Sequence, residues 1–300
     1  MKLLTYSHPS MPGHPTSFGA VIDAESPAAS IIDLSVRMPD VRDLSDLLAR
    51  GRIDDARSIV DAATRDATTD VALSEVTYER TLPSPGKIFC IGVNYGGRNA
   101  EYQDGQDEPT KPSVFVRFPS SFTGHEQSLI RPPESPQLDY EGEIVAVIGT
   151  GGRRIPRATA RNHIAGLALG NEGTIRDWVR HAKFNVTQGK NWDSSGSIGP
   201  WMTTLDEIGD FESLHLTTHV NGELRQDDTP ATMAYPIEFQ IEYLSTFCTL
   251  EPGDIIFTGT PTGAGARFDP PRFLDPGDVV EVSVPELGTL RNGIADEVLR

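Results

Sequence analysis

Cysteine is scarce in this chain: Cys90 and Cys248 are the two thiols in 300 residues. Both lie in apolar surroundings and read as buried thiols of a reducing cytoplasm, which excludes a disulfide framework or a cysteine-built zinc site. Positive charge is scarce as well. Lys and Arg number 26 against 43 Asp and Glu, a formal charge of −17, so no basic face is expected for nucleic acid or an anionic membrane. A small anionic molecule is still allowed, because a metal and a few arginines can reverse the field locally. No run of about eighteen apolar residues occurs, which excludes a transmembrane helix. Residues 1–6 turn polar too soon for a signal peptide. A cytoplasmic location is the expectation.

Glycine and proline, by contrast, are abundant, and they divide the chain. Residues 1–78 read as a small α+β domain. Strand-like pieces at 19–22 and 29–34 lead into helical ones at 41–49 and 53–63, apolar at helical spacing and acidic on the other side. Nothing in them looks catalytic. Pro83-Ser84-Pro85-Gly86 then punctuates the chain before an apolar strand at 87–93, and residues 79–300 read as the larger, second domain. There, short strands alternate with Gly- and Pro-rich turns. Asn221-Gly222 marks a hairpin, and 237–247 is the best helix of the second half. The fold class expected is α+β and β-rich, without a regular βαβ alternation.

Asp139-Tyr140-Glu141-Gly142-Glu143 runs into the β-branched apolar stretch 144–149. Read as one strand, this places residues 139, 141 and 143 on a single face. Like charges beside an apolar run are costly unless a cation or strong donors neutralise them. Two glutamates about 7 Å apart along a strand can share one hard divalent ion, with Mg²⁺ the natural choice.

Other signals are weaker. Gly149-Thr150-Gly151-Gly152 lacks the spacing of a dinucleotide loop, and no Gly-Lys-Ser/Thr follows it. Ser194-Ser195-Gly196-Ser197 lacks the glycine of a nucleophile elbow. His215 and His219 on a strand read as an exposed face rather than a zinc site.

Five further stretches accompany the E-x-E strand: 94–101 (beginning Asn94-Tyr95), 170–177 (Gly170-Asn171-Glu172), Gly189-Lys190, Ile198-Gly199-Pro200-Trp201, and Thr258-Gly259-Thr260-Pro261. In this order and spacing they resemble the fumarylacetoacetate hydrolase family over roughly residues 80–294. The resemblance implies a mixed β-roll catalytic domain, a homodimer, and an enzyme of aromatic-compound breakdown acting on a small 2-oxo acid. It further implies Mg²⁺ or Mn²⁺ held by Glu141, Glu143 and Glu172, where the third position departs from the family's aspartate. Arg176, Tyr95, Thr258 and Thr260 match substrate-binding positions, and Lys190 a lysine placed on substrate oxygen.

The lid departs from the family pattern too. Tyr95 and Glu101 are kept, but Arg98 stands where a histidine is expected, and an arginine cannot serve as a base at neutral pH. His125, just before the metal strand, and Glu101 are the candidate bases, with Arg98 free to clamp a distal carboxylate. The activity expected is metal-dependent hydrolysis of a carbon–carbon bond in a 2,4-dioxo acid, releasing a pyruvate-type enolate. Isomerisation, tautomerisation or decarboxylation of a 2-oxo acid is the alternative that the Arg98 departure favours, since it needs no water-activating base. A catalytically silent metal- or oxoacid-binding protein is the reading from another class.

Overall fold

The computed structural model describes residues 1–8, 16–97, 110–179, 181–182 and 185–299. At its centre lies the strand Gly142–Ile148, all seven residues of which are buried. Ile144, Ala146 and Ile148 join one apolar cluster, while Val145 and Val147 join another. Covering on both faces explains why this stretch is apolar without alternation.

The strand pairs antiparallel with Ile164–Asn171 on one side and Ile255–Phe257 on the other. Ile88–Gly92 and the edge strand Ser113–Val116 follow beyond Ile255–Phe257. In the other direction the sheet continues through Gly196–Thr204 to Lys2–Ser7, Ser17–Ile22, Ser30–Asp33 and Val71–Ala72. The N-terminal strands therefore extend the same sheet, joined through Lys2 opposite Thr203 and Leu3 opposite Met202. A second sheet of five strands runs Glu223–Asp228, Leu216–Val220, Val279–Val284, Gly288–Asp296 and Leu129–Arg131. Its buried Leu216, Val220, Val280, Val282 and Leu290 share a core with Ile144, Ala146 and Ile148, so two sheets meet across the central strand. The architecture is the β-rich α+β class expected.

Local chemistry accounts for the element ends. The side chain of Asp43 accepts from Asp46 N and caps Leu44–Ala49, so the helix expected from residue 41 begins only there. Ile53–Arg65 and Ile237–Phe247 form as their apolar spacing predicts. At the hairpin, Asn221 and Gly222 both take positive φ, 52° and 78°, the requirement of a type I′ turn. One expectation fails. The acidic stretch is not one strand: Leu138–Asp139 pairs with Thr174–Ile175, and the central strand starts anew at Gly142. The Asp139 carboxylate explains the break, because it accepts the backbone N–H groups of Tyr140, Gly265 and Ala266 and so leaves the line of its neighbours.

Candidate metal centre

The antiparallel register places Gly142 opposite Asn171, which brings Glu172, one residue past that strand, beside Glu141. Two bonds fix the junction: Glu172 N donates to Glu141 O at 2.8 Å, and Glu141 N to Asn171 Oδ1 at 2.9 Å. Carboxylate oxygens of Glu141, Glu143 and Glu172 then lie within 4.8 Å of one another, and all three residues are buried. Asp139 stands apart, behind Arg176. Three acids so close are mutually destabilising. Burial, with Glu172 and Glu141 adding to it, holds the Glu143 carboxyl well above the usual carboxylate range. Burial likewise raises Glu172.

Three cations answer two of these acids, Glu141 and Glu172. Lys190 Nζ bridges Glu141 Oε2 at 2.5 Å and Glu172 Oε2 at 3.1 Å. Burial opposes the Lys190 charge, but Glu141 and Glu172 outweigh it and hold the ammonium above its ordinary value. Arg176 donates through Nε to Asp139 at 2.6 Å and through Nη2 to Glu141 at 2.8 Å. Arg117, whose side chain is fully buried, stands 3.9 Å from Glu172. It is locked by Ser121, Ser195 and Gly173 O and by the face of Phe122. Glu172 Oε1 accepts no hydrogen bond. A buried, all-oxygen set with one carboxylate oxygen that accepts no hydrogen bond has the donor chemistry of a site for a hard divalent ion.

The 258–260 turn closes one side. Gly259 takes φ 106°, and a Cβ there would stand 2.7 Å from Asn94 Cβ, so the tight approach needs glycine. Its N–H donates to Glu143 Oε2 at 2.7 Å. The Thr258 hydroxyl donates to Ile144 O and that of Thr260 to Gly142 O. Both hydroxyl protons are therefore engaged by the central strand rather than turned to a ligand. Buried carboxamides brace the turn: Asn94 and Gln240 donate to Thr258 O, and Gln226 to Thr260 Oγ1.

Glu141, Glu143, Glu172, Arg176, Lys190 and Thr260 line one cavity of about 400 Å³, walled further by Val114, Phe115 and Val116. Tyr95 is buried nearby in the core, with its hydroxyl lacking a partner. Thr258 is fully buried. Arg176 does not share a helical face with Glu172: Thr174–Ile175 is a strand piece, and the arginine reaches Glu141 and Asp139 instead. His125 is elsewhere. It lines a separate cavity of about 750 Å³ with Tyr78, Trp201 and Arg291, and none of the three glutamates borders that cavity. Arg98 and Glu101 lie outside the described residues. Sequence reasoning missed Arg117, Gln226 and Gln240; an arginine closing an apolar strand (Val114-Phe115-Val116-Arg117) was the one available flag, and the glutamines had none.

Comparison with known proteins places the chain in a family. The family profile described as fumarylacetoacetate (FAA) hydrolase, C-terminal, matches residues 87–295. The oxaloacetate tautomerase YisK of Bacillus subtilis is 42% identical over 226 residues, covering 74% of each chain. The mitochondrial oxaloacetate tautomerase FAHD2B of Bos taurus is 34% identical, covering 88% of this chain and 83% of its own. Among solved structures, that of "a probable 2-hydroxyhepta-2,4-diene-1,7-dioate isomerase" from Mycobacterium abscessus is 31% identical and covers both chains fully, with a TM-score of 0.78.

Proposed function

Because this chain belongs to the fumarylacetoacetate hydrolase family, we propose that it is a metal-dependent tautomerase, moving a proton between the enol and keto forms of a small 2-oxo acid. One observation carries the reading. Among the described residues lining the cavity, Lys190 is the one group besides the glutamates that can give and take a proton. Tautomerisation needs only such a carrier, whereas hydrolysis also needs a base to activate water. His125, one of the two candidates for that base, borders a different cavity, and the other, Glu101, lies outside the described residues. The relatives support the same choice: two carry the name oxaloacetate tautomerase, and one matching crystal structure is described as that of "a probable 2-hydroxyhepta-2,4-diene-1,7-dioate isomerase". Hydrolysis, the main expectation from sequence, is thereby the less supported reading.

Glu141, Glu143 and Glu172 would hold Mg²⁺ or Mn²⁺, which when bound supplies Lewis-acid stabilisation of developing negative charge. The protein's own groups do the rest. Arg176, steadied by Asp139 and Glu141, presents a cation to the substrate carboxylate. Lys190 is kept as an ammonium and delivers a proton from Nζ to C3 of the enol. The neutral Nζ amine left behind takes the proton that the enol oxygen gives up, so the substrate gains one proton and loses one, Lys190 returns to its ammonium and no water is consumed. Val114, Phe115 and Val116 give the cavity an apolar wall. Exposed apolar residues (Phe118, Val298, Leu299) support pairing into a homodimer, which sedimentation checks.

The test follows the ultraviolet absorbance of enol-oxaloacetate with Mg²⁺ or Mn²⁺ and with EDTA, products being identified by chromatography. Metal-dependent loss of the enol with oxaloacetate left intact supports the tautomerase. Release of pyruvate and a second acid from an acylpyruvate, with no effect on the enol, restores hydrolysis.

A further inference from the structure

Gln226 belongs to the strand Glu223–Asp228 of the second sheet, outside every stretch that marks the metal centre, and is 1% exposed. Its carbonyl accepts from Gly142 N at 2.9 Å. Its amide donates to Thr260 Oγ1 at 2.8 Å and to Pro261 O at 3.0 Å. Thr260 Oγ1 in turn donates to Gly142 O at 2.9 Å. Gln226, Thr260 and Gly142 thus close a ring of hydrogen bonds, and Gly142 is the residue between the two glutamates of the central strand.

The glycine is what permits this approach. A Cβ at residue 142 would stand 2.1 Å from Thr218 Oγ1, 3.2 Å from Val282 Cγ1 and 3.3 Å from Gln226 Oε1. The second sheet therefore comes against the ligand strand at its one side-chain-free position. Both backbone groups of that position are tied, the N–H to Gln226 and the carbonyl to Thr260. A rotation of Gly142 would swing Glu141 and Glu143 together, because they flank it.

We propose that Gln226 is a positioning residue of the metal centre: it fixes the spacing between the ligand strand and the 258–260 turn, and so sets the directions of Glu141 and Glu143. The inference rests on reading the three glutamates as a metal site. Gln226 touches none of their carboxylates and works through the backbone. A residue that merely glued two sheets together would support stability without affecting ligand geometry, and this difference is measurable.

The experiment compares Gln226→Met, Thr260→Val and the double variant with the wild type, by Mn²⁺ calorimetry and by melting with and without Mn²⁺. Gln226→Met should raise the Mn²⁺ Kd by about tenfold, the low end of the loss seen when a direct partner of a metal ligand is removed, because Gln226 acts one residue further out, through Gly142. Thr260→Val opens the same ring at one bond and should raise Kd by about fivefold. The double variant should lie within about twofold of Gln226→Met alone, since the ring is already open. An unchanged Kd, with a melting point lowered equally in both conditions, overturns the proposal, as do losses that multiply in the double variant. Where Gln226→Met does not fold, Thr260→Val decides: a Kd within about twofold of the wild type sinks the ring. A wild type that binds no Mn²⁺ brings down the metal reading itself and this inference with it.

Discussion

The cavity around Glu141, Glu143 and Glu172 and the one around His125 both hold ionisable groups out of water, and they do so in opposite ways. In the first, cations are brought in: Lys190, Arg176 and Arg117 stand against Glu141 and Glu172, and Glu143 is met by the Gly259 N–H. In the second, charge is given up. His125 packs edge-on to Tyr78 at 4.6 Å and accepts from Arg291 N at 3.0 Å, and burial with the nearby Arg291 charge lowers it to about 4. A histidine is the usual emblem of catalysis, yet here it is the neutral, packed group. Glu141 and Glu172 find ion-pair partners because segments distant in sequence, around residues 117, 176 and 190, bring cations to them. Convergence of elements, rather than residue type, marks the site.

The comparison breaks most sharply at Glu141, which holds both Lys190 and Arg176. Glu141→Ala leaves two buried cations without that partner and should cost about 3–5 kcal/mol of stability, read by denaturant unfolding. Mn²⁺ binding should vanish with it. His125→Asn should leave Mn²⁺ affinity untouched. Equal metal losses in the two variants would make His125 part of the same centre and erase the contrast.

How much of this was legible beforehand divides along the same line. The E-x-E pair was readable from its own alternation, whereas Glu172, Arg176 and Lys190, which join it in one cavity, were marked only by the family resemblance. The apolar run of the central strand and the helix Ile237–Phe247 were equally readable, since burial imposes their periods. What could not be read was tertiary. The break after Asp139 depends on N–H groups of Gly265 and Ala266, more than a hundred residues away. Arg117 acquires its meaning only when Ser195 and Gly173 fold against it. His125 looked close to the metal strand along the chain, but the turn that carries it packs on Tyr78 and Arg291 instead.

The next effect in size belongs to the second cavity and depends on pH. His125 binds its proton less readily when folded, near pH 4, than the ordinary value of 6.5 of the unfolded chain. Between these values the unfolded chain holds the extra proton. The stability contributed is therefore complete above pH 6.5 and is lost as pH falls towards 4. The full difference is about 3 kcal/mol. Denaturant unfolding of the wild type and of His125→Asn across this range should show the slope in the first and a shallower one in the second. Parallel curves would mean that His125 is solvated and that the cavity does not exclude its charge.

His215 sharpens the comparison from within that same cavity, where it is expected to matter least. It borders the cavity with His125, and its Nε2 meets Asp227 Oδ1 at 2.5 Å. Both partners of this pair are about half exposed, at 53% and 51%, so water and salt screen it. His215→Ala should therefore change stability by about 0.5 kcal/mol or less, with Mn²⁺ affinity unchanged. The contrast with His125 isolates burial as the cause, since residue type and cavity are the same for both. A loss approaching that of His125→Asn would instead assign the pH response to the cavity as a whole, with both histidines linked through the groups between them.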